Sequence, residues 1–409
     1  MALMLAAMFF ACQKNEPEPE DFCSFANVEN IDKTIPFVNQ FLGGLSAGLS
    51  DEQQLGELVA WLKAQPCITD ATLISGDPRQ VHIWFEESGE TKRFFMDVSM
   101  EKPLKITGFH EYEEPEDDFV GITMTVKGSP SSDENGQFGR LDLVIAGTGS
   151  MTIDWGDGTI YTVVLRPLLF DVTYSHQYSD TTVTYTVTLK GKDIRMILCR
   201  RYSWSWDEAN GYITSLDVSK NPGLIYLSVA SSRLTSLDLS KNTALEYLDL
   251  SGNRLTSLDL SKNTALEEWL DLRSNRLTSL DVSNNPALKV LLVDGNRLTS
   301  LDVSNNTALE RLLVNANRLT SLDVSNNSAL WHLGLANNQL TNLDLSNNSI
   351  LDWVSIRNNL FSTESLNNLY YTLNSNQRLG KIINVGGNPG APYADLTIAA
   401  NKRWDVNRN

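Results

Sequence analysis

The 409-residue chain is short of basic charge, of histidine and of long apolar runs, and each shortage removes a class of function. Its 33 Lys and Arg stand against 50 Asp and Glu, a formal charge of -17. Nucleic acid and anionic lipid both attract proteins through a basic footprint, so neither is an expected partner. No run of about 18 apolar residues occurs, so no helix is long and apolar enough to span a membrane. Histidine is confined to His82, His110, His176 and His332, which are dispersed, and the sequence holds no HExxH, CxxC or phosphate loop. Gly44-Leu45-Ser46-Ala47-Gly48 matches GxSxG by letters alone. It closes a helix-like stretch with no strand before it, which is not the setting of a nucleophile elbow. These absences lead us to expect no enzyme, no cofactor and no metal site.

What the chain does have is enough apolar material, 42%, for real cores, and a length that suggests two or three compact units. The first eleven residues, MALMLAAMFFA, are apolar and end at Cys12. Too short to span, they suit the h-region of a signal sequence, although a basic n-region is missing and Phe9 and Phe10 are atypical. The segment resembles a bacterial lipobox, which implies lipidation of Cys12; a plain secretory signal or a buried helix are the alternatives. QKNEPEPED follows as a proline-broken acidic tether, similar to those of lipoproteins displayed on the outer surface. Residues 1–22 are thus expected to be signal and tether, and the expected location is the outer membrane or cell surface, reached by a lipid anchor. Export places Cys23 and Cys67 where a disulfide can form, while Cys199 falls at an inward repeat position.

Residues 23–112 have the pattern of a small α+β domain. Ile31, Ile35, Val38, Leu42 and Leu45 are spaced as one helical stripe. Ser50 and Gln53 form a capping box for a second helix carrying Leu55, Leu58, Val59 and Leu62 as far as Pro66. Strands are expected at 71–75, 80–86, 92–99 and 104–107, with Val81, Ile83 and Phe85 alternating inward. An acidic linker, EEPEDD, separates this from an all-β stretch at 119–192. There Trp155-Gly156-Asp157-Gly158-Thr159 precedes His176-Gln177-Tyr178 and Tyr185-Thr186-Val187-Thr188-Leu189. Gly-Asp-Gly permits a tight turn at positive φ, and Trp155 is placed to fill a core. The combination resembles a PKD-type immunoglobulin-like domain, which implies a β-sandwich spacer that sometimes binds glycan or protein weakly. Asp154 and Asp157 could hold a cation there, or serve the turn alone.

From Leu224 the chain repeats itself in units of 21 residues, as in LEYLDLSGNRLTSLDLSKNTA from Leu245; only the unit from Leu266 carries one extra, which should bulge a strand. In LxxLxLxxNxL alternate leucines point inward, and the asparagine satisfies backbone groups at the turn. One coil cannot bury its leucines, but coils stacked about 4.8 Å apart can. This is the leucine-rich-repeat signature. Because LTSLDLSKN nearly repeats it, the unit resembles the nested IRREKO class, and that resemblance implies an extended strand on both walls of each coil. Repeats are expected over 193–360, with a C-terminal cap over 361–409 that begins as a helix at Ser362 or Thr363.

The second half of each unit is nearly constant, whereas the outward positions of the first half vary. Its third position carries Tyr226, Tyr247, Trp269, Val290, Arg311, His332 and Trp353. Its second carries Ile225, Glu246, Glu267, Lys289, Glu310, Trp331 and Asp352. A column of aromatics and Arg has the composition of a binding hot spot, so Tyr226, Tyr247, Trp269, Arg311, His332 and Trp353 are the candidate ligand residues. Cross-strand stacking that only stabilises the ladder is the other explanation. Arg233, Arg254, Arg276, Arg297 and Arg318 form a basic column. Asp217, Asp238, Asp259, Asp281, Asp302, Asp323 and Asp344 form an acidic one, needing either local hydrogen bonds or a cation to relieve its repulsion. The whole suggests a non-enzymatic surface adhesion protein recognising a protein ligand, or else an accessory glycan-binding lipoprotein of a carbohydrate-capture system.

Overall fold

A computed structural model describes residues 38–39, 51–65, 68–74, 79–87, 90–99, 105–111, 121–127, 140–165, 173–180, 182–200 and 212–409. Cys12, Cys23 and Cys67, with the whole of residues 1–22, lie outside them. The chain divides into two compact units, Met1–Glu114 and Pro115–Asn409.

In the first unit helix α1 (Asp51–Lys63) buries Leu55, Leu58 and Leu62, the apolar positions read from its spacing. It packs on strand β1 (Ile68–Ile74) of a four-stranded antiparallel sheet that continues through β2 (Arg79–Glu87), β3 (Glu90–Ser99) and β4 (Lys105–Glu111) in sequence order. Val81 and Ile83 are buried, two residues apart on one face as a pleated strand requires.

The second unit is built on one sheet. Strand β5 (Ile122–Lys127) pairs antiparallel with the first half of β9 (Thr184–Arg200). The long strand β6 (Arg140–Asp154) runs along the other edge of β9, and its own far edge takes β7 (Ile160–Val164) and β8 (Thr173–Gln177). Trp155 is fully buried, Gly156 and Gly158 have φ of 81° and 93°, and the Tyr178 hydroxyl donates to the Trp155 carbonyl at 3.0 Å. Asp154 accepts from Gly156 N–H at 2.9 Å and Asp157 from Thr159 N–H at 3.0 Å, so both carboxylates serve the turn. Burial works against the Asp157 charge, but hydrogen bonds from His176 (2.7 Å) and Thr159 outweigh it and hold this carboxyl below its usual range.

The boundary expected at 192–193 falls inside β9, whose second half pairs in parallel with the first solenoid strand, β11 (Tyr226–Ser228), placing Met196 opposite Tyr226. Strand β10 (Tyr212–Asp217) returns to pair with β5. One apolar core therefore runs without a break from Ile122 through Trp155 and the repeat leucines to Trp404. Cys199, buried in it as a free thiol, is pushed up to about 12 by desolvation.

The solenoid strands follow in parallel register: β12 (Tyr247–Asp249), β13 (Trp269–Asp271), β14 (Val290–Leu292), β15 (Arg311–Leu313), β16 (His332–Gly334) and β17 (Trp353–Ser355). The expectation of a strand on both walls is corrected: from Leu224 onward the LTSLDxSxN half forms none among the described residues, and only its counterpart before the first full unit is extended, as β10. Its polar residues are spent on curvature. Asp259 accepts from Ser261 N–H at 2.8 Å, and this Asx turn recurs at the other six aspartates, which relieves the acidic column locally. The extra residue of the third coil falls just before β13, which keeps its three residues but loses the pairing of Trp269 with Val290. There Glu267 and Glu268 N–H share the Glu246 carbonyl at 3.3 Å, as the second and third positions do in coils without the extra residue, so Glu268 takes the place that the third position holds elsewhere.

Two columns of buried asparagine tie coil to coil. Asn296 accepts from Leu277 N–H at 3.0 Å and donates to the Leu272 and Val293 carbonyls at 2.9 and 3.0 Å. The second column, as at Asn306, donates to Val282 and Asn285 carbonyls of the preceding coil at 2.8 Å each. The residue before each first-column asparagine is left-handed: Gly252 and Gly295 have φ of 68° and 67°, but so do Ser274, Ala316 and Asn337, at 54°, 53° and 57°.

The segment expected as a cap continues the solenoid. Helix α2 (Thr363–Thr372), N-capped by Ser362, takes the place of one constant half and buries Leu366, Leu369 and Tyr370. Strand β18 (Lys381–Asn384) pairs with β17, helix α3 (Leu396–Ala400) follows, and β19 (Trp404–Asn407) pairs with β18. Asn388 occupies the first asparagine column, donating to Ile356 and Val385 carbonyls at 2.8 Å.

Asn296→Ala orphans one buried N–H and two carbonyls. We expect a loss of about 3 kcal/mol, read as lowered urea stability and faster hydrogen exchange at Leu277. Ala316→Gly should do the reverse, raising stability by roughly 0.5–1 kcal/mol by removing a side chain from a left-handed position.

Candidate functional site

The candidate column lies where the sequence places it, on the outward side of the strand ladder, because parallel in-register pairing stacks equivalent positions of successive coils. Tyr226 pairs with Tyr247, Tyr247 with Trp269, Val290 with Arg311, Arg311 with His332, and His332 with Trp353. Pairing lapses between Trp269 and Val290, beside the extra residue. The column extends beyond the repeats to Met196 at one end and through Ile382 to Asp405 at the other, which sequence reasoning missed because none of these neighbours matches the repeat unit.

Its six candidate residues are all half-buried, and the rings stack on one another. Tyr226 and Tyr247 are 4.0 Å apart at 8°, Tyr247 and Trp269 6.1 Å at 10°, His332 and Trp353 4.1 Å at 18°. Stacking thus uses the ring faces and leaves mainly edges toward solvent. Burial pushes the Tyr247 hydroxyl well up, helped by its hydrogen bond with Tyr226. His332 is pushed down to about 4, first by burial and then by the Arg311 guanidinium, against a weaker pull from Asp352. It is therefore a neutral ring at neutral pH.

The second outward column behaves differently. Trp331 is 37% exposed and meets His332 edge-on at 5.3 Å. Ile382 and Leu379 are also exposed, at 36% and 87%. On the same face stand Arg311, which pairs with His332, and Arg378, whose Nη1 lies 3.3 Å from Asp352. In the earlier coils the same column is charged, with Lys289 bridging Glu267 and Glu268 at 2.9 and 2.7 Å.

A further group went unread in the sequence. Asp249 and Asp271 stand at the fifth position of their coils, and Asp294 at the seventh. Asp271, 2% exposed, is held by Arg273 through Nε at 2.9 Å and Nη2 at 2.6 Å. Burial raises Asp249 and Asp294 above the usual carboxylate range, and the nearby Asp271 adds to it. The only signal was that these positions vary as the third does. Among the described residues no group of three or more His, Cys, Asp or Glu is placed to hold a metal ion.

This wall belongs to a leucine-rich-repeat β-solenoid. Neither a protein-family model nor a curated protein sequence matches the chain. Solved structures resemble part of it. The functional domain of InlJ from Listeria monocytogenes is 31% identical over 49% of this chain and 42% of that one, with a TM-score of 0.43. The internalin InlF of Listeria monocytogenes is 21% identical over 48% and 58%, TM-score 0.40. The leucine-rich effector YopM of Yersinia pestis is 22% identical over 41% and 56%, TM-score 0.28. In each case this chain spans less than two thirds of the neighbour's length.

The His332 shift has a definite sign. Between about pH 6.5 and 4 the unfolded chain takes up a proton at this ring that the folded one refuses, so stability falls as pH falls through that window. NMR titration should place the midpoint near 4, and Arg311→Gln should raise it.

Proposed function

We propose that this is a non-enzymatic surface protein that binds a protein ligand through the strand face of its solenoid, centred on the last coils. The observation that carries this reading is the exposure of Trp331 against His332 and of Ile382 against Trp353, with Arg311 paired to His332 and Arg378 held on Asp352. An apolar centre with aromatic anchors and a charged rim is the composition of a protein hot spot. The candidate residues then divide by role. Tyr226, Tyr247 and Trp269 form a rigid floor, while Arg311, His332 and Trp353 border the contact.

Glycan recognition is disfavoured by the stacking. Sugars dock their C–H faces on open aromatic faces, and in the Tyr226–Tyr247–Trp269 and His332–Trp353 stacks rings cover one another. The anchoring belongs to the same proposal: Cys12, after its apolar stretch and before an acidic tether, carries a lipid that holds the protein at the outer membrane or cell surface. Cys23 and Cys67 pair in that oxidising setting.

Affinity capture with the full chain should recover a protein ligand that Trp331→Ala/Trp353→Ala bait loses by at least about tenfold. Tyr226→Ala should instead lower stability and leave affinity nearly unchanged. If the double variant holds the ligand as tightly as the parent, or if a glycan array lights up and goes dark with Trp269→Ala and Trp353→Ala, the protein-ligand reading fails. Cys12→Ser should release the protein from the membrane fraction, and its retention there would refute the anchor.

A further inference from the structure

The basic column is unused by the strand face. Arg254, Arg276, Arg297 and Arg318 are exposed, and their guanidinium groups make no ion pair or hydrogen bond among the described residues. Their backbones are fixed. Arg254 N–H donates to Leu234 O at 2.8 Å, Arg276 to Leu255 at 2.9 Å, Arg297 to Leu277 at 2.8 Å and Arg318 to Leu298 at 2.8 Å, always one coil back. The solenoid therefore presents four unpaired positive charges at its own repeat, about 4.8 Å. That is well inside the Debye length of about 8 Å, so the charges repel one another and share any counter-charge between them.

Two residues on stand exposed hydroxyls at the same repeat, Thr256, Thr278 and Thr299, followed by Ser257, Ser279 and Ser300. The acidic column comes further along the coil, and its carboxylates are already engaged by the Ser N–H groups of their Asx turns. No aromatic ring interrupts the Arg, Thr and Ser columns of these coils, so they lack the stacking platform that single-stranded nucleic acid uses. Guanidinium suits carboxylate through paired N–H donors, and hydroxyls suit sugar hydroxyls.

We propose that Arg254, Arg276, Arg297 and Arg318 form a second binding site, for a linear acidic polysaccharide lying parallel to the solenoid axis with its carboxylates on the guanidiniums. The site goes beyond the strand-face reading and does not depend on it.

The test uses the full chain on immobilised polygalacturonate. Retention is expected at about 50 mM salt, falling steeply toward 200 mM, as ion release requires. Changing all four arginines to Gln should weaken binding by about tenfold or more and flatten the salt dependence. Changing all four to Lys, which keeps the charge but not the paired donors, should keep the salt dependence and restore only part of the affinity lost in the Gln variant. Asp259→Asn, Asp281→Asn and Asp302→Asn together should tighten binding, since Asn keeps the Asx turn and drops the repelling charge. Circular dichroism checks that each variant is folded. Trp331→Ala/Trp353→Ala should bind polygalacturonate like the parent, and its loss of binding would move the site to the strand face. Failure of the parent to bind at low salt, parent-like binding by the folded Gln variant, or stronger retention of oligothymidylate would each overturn the proposal.

Discussion

Every coil of the solenoid has to reverse direction with its backbone buried, and the asparagine columns make that possible. A turn removes N–H and C=O groups from the strand ladder and leaves them without water. Asn296 satisfies three such groups, two of them on the preceding coil, so it closes its own turn and docks its neighbour at once. The second column does less. Asn306 donates twice, but its Oδ1 is buried without a partner among the described residues, as in six other members of that column. The two walls are therefore unequal: the first turn is fully satisfied and leads from a strand, while the second is a looser curve.

Stacking follows from this constraint. Because each asparagine ties one coil to the one before it, equivalent side chains are brought into register, and chemistry repeats along the axis. The result depends on what the position carries. Aromatics at the third position fuse into a ring stack. Arginines after the asparagine remain separate charges. Aspartates of the constant half escape their mutual repulsion by turning onto the Ser N–H two residues ahead. One geometric rule thus produces a rigid floor, a charged rail and a neutralised edge.

The strand ladder does not stop where the repeats do. Strand β9 belongs to the antiparallel sheet in its first half and to the solenoid in its second, so the first leucine coil is covered by a strand already anchored by Trp155 and its neighbours. At the other end α2 and α3 replace the constant halves while β18 and β19 prolong the ladder. Lys381, fully buried, points its ammonium at the Asn374 and Asn376 carbonyls at 3.2 and 3.0 Å, with the Trp404 ring 5.5 Å away. Open leucine surface is avoided by changing the filling of a coil, not by ending the stack.

From Leu224 to Phe361 the period, inward leucines and turn asparagines are local facts of spacing, and they determined the coil, its strand and the outward column from Tyr226 to Trp353. The helix at Ser362 and the buried Trp155 turn were legible for the same reason. The sequence did not tell that the LTSLDxSxN wall would curl instead of extending, because Asp259 and Ser261 are equally compatible with a strand until the Asx bond is seen. Nor did it tell that β9 would cross the expected boundary, that Asp249, Asp271 and Asp294 would gather, or that Trp331 would stand exposed while Trp353 lay stacked. Those are decided by which chain segments become neighbours across coils, and by how rings and carboxylates compete there for the same shared space. Spacing sets which way a side chain faces; only packing sets what it meets.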